Sequence, residues 1–102
     1  MKRTLIRYKA KPDLADKNSE LIAAVFAQLR DAKPAGLRYL ALRLEDDSFV
    51  HLVATETDEG SKALRDLPAF QAFQSGVRER CDEMPLARSA RIVGNYRMLE
   101  SE

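Results

Sequence analysis

The chain predicts an α+β domain with the element order β-α-β-β-α-β. Three observations carry this reading. Short runs of alternating or continuous apolar residues stand at 3–10, 37–44, 49–57 and 87–99. Two longer stretches, 12–32 and 61–81, repeat apolar residues every three or four positions. Proline, glycine and short acidic runs separate the segments.

Arg3–Ala10 reads as the first strand, with Leu5, Arg7 and Lys9 on one face and Thr4, Ile6, Tyr8 and Ala10 on the other. Pro12 suits a first helical turn, and Asp13 and Asp16 complement the positive end of the helix dipole. Leu14, Asn18, Leu21, Ile22, Val25, Phe26 and Leu29 then form one wide stripe, on which Asn18 is the single polar residue. Lys33-Pro34-Ala35-Gly36 ends that helix. Leu37–Leu44 and Phe49–Thr57 read as strands joined by the turn Glu45-Asp46-Asp47-Ser48, hence antiparallel neighbours. Both faces of each strand are substantially apolar: Leu40, Leu42 and Leu44 against Leu37, Tyr39 and Ala41 in the first, and Val50, Leu52 and Ala54 against Phe49 and Val53 in the second. A sheet with one wet face would alternate more cleanly, so the second face is expected to be covered. Ser61 is placed to cap a short helix to Leu64, Leu67-Pro68 interrupts it, and Phe70, Phe73, Val77 and Cys81 continue at helical spacing. Met84-Pro85 then reads as loop, and Ala87–Leu99 as a long last strand with Gly94 at a bend. The order is the split βαβ plan of ferredoxin-like domains, with both helices on one face of an antiparallel sheet.

At 102 residues the chain reads as one domain, 1–102, large enough for a core without disulfides. The apolar and charged fractions, 45% and 32%, are those of a globular protein rather than a disordered one. Net charge is +1 with signs interspersed, which argues against nucleic-acid binding. Arg7 and Lys9 interrupt what would be the apolar part of an export signal, and no run approaches a membrane span. Cys81 is the lone cysteine, consistent with a reduced, cytoplasmic setting. One histidine and one cysteine without spaced partners predict no metal site.

Gly36-Leu37-Arg38-Tyr39, Phe49-Val50-His51-Leu52-Val53-Ala54 and Leu67-Pro68-Ala69-Phe70-Gln71-Ala72-Phe73, set in this element order, resemble the antibiotic-biosynthesis-monooxygenase-like domains of the dimeric α+β barrel superfamily. The resemblance spans essentially the whole chain. It implies a homodimer whose two sheets pack face to face, with a small-molecule pocket between sheet and helices in each subunit. It implies cofactor-independent oxygenation of phenolic or quinol-type compounds, or else a non-catalytic ligand-binding or stress-response protein. The oxygenases and haem degraders of that family use a tryptophan, and this chain has none. The haem degraders also place a histidine on the second helix and an asparagine on the first strand. Here Pro68–Cys81 has no histidine, and the first strand carries Thr4 and Arg7. No catalytic residue carries over by motif.

The candidate residues therefore come from their chemistry. His51 is the only histidine and is a candidate general base, or else a histidine packed in the dimer interface or hydrogen-bonded in the core. Tyr39 is a candidate for orienting an aromatic substrate through its hydroxyl. Asn18, Tyr8 and Arg43 are candidates for substrate binding: a polar anchor on the apolar stripe, a second phenol, and a cation for an enolate or carboxylate. Tyrosines on strands also serve simply as sheet filler.

Overall fold

The computed structural model describes residues 1–99; the last three residues of the expected 1–102 domain lie outside the described residues. The elements are β1 (Lys2–Ala10), a 3₁₀ turn (Pro12–Leu14), α1 (Ala15–Ala32), β2 (Leu37–Arg43), β3 (Ser48–Thr55), α2 (Asp58–Asp66), α3 (Pro68–Ser75), a second 3₁₀ turn (Arg78–Arg80) and β4 (Cys81–Ser89). The four strands form one antiparallel sheet in the order β2-β3-β1-β4. This is the ferredoxin-like arrangement, with β1 central and paired on both sides.

Local chemistry sets the boundaries. Lys33 closes α1 in the left-handed conformation, its N–H donating to the Leu29 carbonyl at 2.8 Å. Thr57, not Ser61, caps α2, its hydroxyl accepting from the Gly60 N–H. The cap therefore falls four residues earlier than the serine suggests, and Ser61 lies inside the helix. α3 has no cap of its own; Gln28 of α1 supplies one, its Oε1 accepting from the Ala69 N–H at 3.0 Å. This ties the two helices together across the sheet face they share.

Gly60 sits against the entry to β2. A Cβ there would lie 2.5 Å from the Gly36 carbonyl oxygen, which itself accepts from the Glu56 N–H. Gly60→Ala must push α2 off the hairpin, at a cost of about 2 kcal/mol. Urea unfolding would register this as a lower midpoint at unchanged slope.

The last third differs from expectation. The helix predicted to reach Cys81 stops at Ser75, and Cys81 begins β4. The last strand therefore runs Cys81–Ser89 rather than Ala87–Leu99, and Ala90–Leu99 is irregular, with Gly94 in no strand. The reason lies at Pro85. β4 is an edge strand, and its pairing with β1 slips between Arg7 and Lys9 and again between Lys9 and Ala10. Three residues of β4 span two of β1 at the first slip, and Pro85 falls in that bulge. An edge strand with bulges admits a proline that a central strand would not.

The faces divide as the alternation predicts. Ile6, Tyr8, Tyr39, Phe49, His51 and Val53 face the helices and pack with Val25, Phe70 and Phe73. The opposite face carries Leu5, Leu40, Leu42, Val50 and Leu52; neither helix layer lies on it, and Met1 and Leu99 border a hollow beside Leu40 and Leu52. Leu40 and Leu42 keep 43% and 48% of their surface exposed. Among the described residues no helix is long and apolar enough to cross a membrane.

Candidate functional site

Strand alternation sends Tyr8, Tyr39 and His51 to the same face from three adjacent strands, and the register brings them together. Ile6 of β1 and Ala41 of β2 both lie opposite His51, so the ring stands between Tyr8 and Tyr39. Tyr39 Oη lies 2.6 Å from His51 Nδ1, and Tyr8 Oη lies 2.8 Å from His51 Nε2. From α1, Asn18 Nδ2 donates to Tyr8 Oη at 2.8 Å. From the turn before β4, Arg80 Nε donates to Asn18 Oδ1 at 3.0 Å, and Arg80 Nη2 donates to the Phe73 carbonyl at 2.7 Å. Five side chains from five parts of the fold thus form one continuous hydrogen-bonded chain.

Its interior is dry. His51 is 2% exposed, Asn18 is fully buried, and Tyr8 and Arg80 are buried beside them. Tyr8 stacks on Phe49 with ring centroids 5.5 Å apart, Phe73 lies 5.6 Å from the His51 ring, and the Arg80 guanidinium lies 5.3 Å from the Phe73 centroid. Burial pushes the His51 imidazole down to about 4, so it is neutral at pH 7 and a weak proton acceptor. Burial pushes the Tyr8 phenol up to about 12, with the Asn18 hydrogen bond opposing the shift, and raises the Tyr39 phenol as well. Burial lowers the Arg80 pKa, yet a guanidinium stays charged in any protein.

The outer end of the chain opens into a cleft of about 100 Å³ between the sheet and α3. Tyr8, Tyr39, His51 and Gln74 line it together with the apolar Ile6, Val53, Phe70, Phe73 and Val77. A closed apolar cavity of about 150 Å³ is known to hold one benzene ring, so this cleft suits a single ring with one edge toward solvent.

Arg43 does not join this group. It lies at the sheet edge in ion pairs with Asp47 (2.7 Å) and Asp16 (3.0 Å), and also donates to Ser19. The reason is local: the left-handed Asp47 in the β2–β3 turn brings its carboxylate back to the guanidinium. Arg80 is the residue that sequence reasoning missed. Gly76 is the trace it left, because a Cβ there would lie 2.9 Å from Arg80 Nη1. Among the described residues no cluster of three histidine, cysteine, aspartate or glutamate side chains stands together to hold a metal.

No protein-family model matches the chain, and no curated protein does. Solved structures do. A candidate antibiotic biosynthesis monooxygenase from Nitrosomonas europaea superposes with a TM-score of 0.73 at 16% identity, over 90% of this chain and 89% of that one. A second, from Caulobacter crescentus, gives 0.73 at 14% identity, over 91% and 90%. A protein from Mycobacterium tuberculosis gives 0.74 at 14% identity, over 92% and 96%. The chain has the ferredoxin-like fold of the antibiotic-biosynthesis-monooxygenase-like proteins over about nine-tenths of its length. At these identities the likeness is one of fold, and the chemistry has to be argued from the site.

Proposed function

We propose that the protein is a small-molecule oxygenase that acts on a single-ring quinol or phenol without a cofactor. The observation behind this reading is the buried Tyr39–His51–Tyr8–Asn18 chain ending at an apolar, ring-sized cleft. The ring lies against Phe70, Phe73 and Val53, and its oxygen meets the Tyr39 hydroxyl. An ionised quinol is rich enough in electrons to reduce dioxygen itself. One oxygen atom enters the ring, two ring-derived hydrogens leave with the other as water, and quinol plus dioxygen gives hydroxyquinone plus water. The low basicity of His51 makes it a support for Tyr39 rather than the base that strips the substrate.

Oxygen uptake with a panel of hydroquinones and single-ring phenols tests this. Tyr39→Phe is expected to lower kcat/KM at least tenfold while leaving the fold intact, because it removes one hydroxyl at the site of developing charge. No uptake with any member of the panel, or uptake unchanged in Tyr39→Phe, counts against the reading. A second reading, a non-catalytic ligand-binding protein in a stress response, is favoured by the same histidine: both its ring nitrogens are occupied and it is a poor base. Binding without turnover would select it.

The same reading includes a homodimer in the cytoplasm. Leu5, Leu40, Leu42 and Leu52 form an apolar patch on that sheet face, bordered by Arg3, Arg7 and Arg38, and a second copy presenting the same patch matches it. Wild-type protein is expected at twice the chain mass in sedimentation, and Leu5→Lys, in the middle of that face, at the single mass. A wild type that sediments as one chain at micromolar concentration removes the dimer.

A further inference from the structure

We infer that Arg80 and Asn18 are positioning residues that give the buried chain a single direction, so that Tyr39 presents its hydroxyl proton to the cleft and the site takes a ring bearing an anionic or carbonyl oxygen. This assignment rests on the cleft being a ligand site, as proposed above, and otherwise only on donor and acceptor chemistry. A guanidinium has five donors and no acceptor. The Asn18 atom facing Arg80 Nε is therefore its oxygen, and the atom facing Tyr8 is its NH₂ group. The Tyr8 oxygen is thus an acceptor from Asn18, and its own proton needs a separate partner.

Two arrangements remain. In one, Tyr8 donates to His51 Nε2, His51 carries its proton on Nδ1 and donates to Tyr39, and the Tyr39 proton points outward. In the other, the two bonds at His51 are reversed while Asn18 still donates to Tyr8, and the Tyr8 proton is left without an acceptor, since Asn18 and His51 are its hydroxyl's two partners. Tyr8 is 3% exposed, so an unmet proton there cannot turn to water. Tyr39 lies half-buried on the cleft, where an outward proton reaches solvent or ligand. The first arrangement is the one that satisfies every buried donor. It runs from the cationic Arg80 through Asn18, Tyr8 and His51 to Tyr39, each bond polarising the next. A terminal donor matches a phenolate, enolate or quinone oxygen and discriminates against a protonated phenol, which offers a donor of its own.

The chain has one histidine, so its ring ¹⁵N resonances are unambiguous. Near neutral pH, Nδ1 is expected to carry the proton and Nε2 to show the shift of an unprotonated nitrogen. Nε2 protonated in the wild type overturns the inference outright, with no variant needed. In Asn18→Asp the new carboxylate keeps Arg80 paired but accepts from Tyr8, so the whole chain reverses and the proton is expected on Nε2. An unchanged tautomer in that variant overturns the role given to Arg80 and Asn18. 4-Nitrophenol titrated across its own ionisation is expected to bind wild type as the phenolate, and both Asn18→Asp and Tyr39→Phe to weaken that binding roughly tenfold or more, the range of one charge-assisted hydrogen bond. Equal affinity for both forms, or no binding, overturns the assigned ligand class. None of these readouts requires turnover: nitrophenolate binding with the expected tautomer and no oxygen uptake would leave this inference standing and remove the oxygenase.

Discussion

Asn18→Leu is expected to destabilise the protein by about 3 kcal/mol. Leucine has the branched outline and heavy-atom count of asparagine but a larger volume, so the loss combines missing polar partners with some overpacking. Asn18 is fully buried, and its amide serves two neighbours that have no route to water. Arg80 Nε loses its acceptor, and Tyr8 Oη loses a donor. A buried donor left unmet costs about 1–3 kcal/mol, and a charged one more. For a domain of this size the melting temperature should fall by roughly 15 °C. Arg80→Met in the same chain should return part of the loss, since it removes the stranded charge. A melting temperature for Asn18→Leu within a few degrees of wild type would show that Arg80 does not depend on this amide.

Stability is also expected to fall as pH drops from about 6.5 to about 4, with His51 as the cause. The imidazole titrates near 6.5 when unfolded and at about 4 in the native protein, because burial opposes its charged form. Between those values the unfolded chain binds a proton that the native state does not. The sign follows: unfolding takes up a proton, so acid favours it, and the stability is fully present only above 6.5. A separation of about 2.5 pH units corresponds to about 3 kcal/mol, complete near pH 4. Carboxylates begin to titrate in the lower part of this window, so His51→Gln is the control. Urea unfolding between about pH 6.5 and 5 should show a steep slope for wild type and a shallow one for the variant. Equal slopes would mean that His51 charges readily in the native state.

Much of this architecture was legible, and the reasons are specific. Alternation grouped Tyr8 with Ile6 in β1 and His51 with Phe49 and Val53 in β3, because a period of two leaves no other choice within a strand; that the two groups share one sheet face comes from the register. The stripe of α1 placed Asn18 inward, because Leu14, Leu21, Ile22 and Val25 leave it no way out. The register that joins these residues was not legible. It depends on which strands are neighbours, a property of the whole sheet. Arg80 was illegible for another reason. Helical spacing through Phe73 and Val77 ran on to Cys81 without a break, and nothing in Arg78-Glu79-Arg80 separates the inward arginine from the outward one. Pro85 misled in the same region, since a proline reads as loop unless the strand is known to lie on an edge.

The hydrogen-bonded chain has a consequence for how the protein comes into being. Its bonds join residues 10, 12, 43 and 62 positions apart. Only Tyr39 and His51 meet within one hairpin; the other contacts join separate elements, and each needs a closed loop and the entropy that closure costs. The β2–β3 hairpin can pair early across its short turn. The site cannot, because its inner end waits for a residue four-fifths of the way along the chain. A nascent chain lacking Arg80 has no partial version of the site to offer. It holds a strand of half-satisfied polar groups facing an unfinished core, and binding competence arrives only with the last strand, as a report that folding is complete.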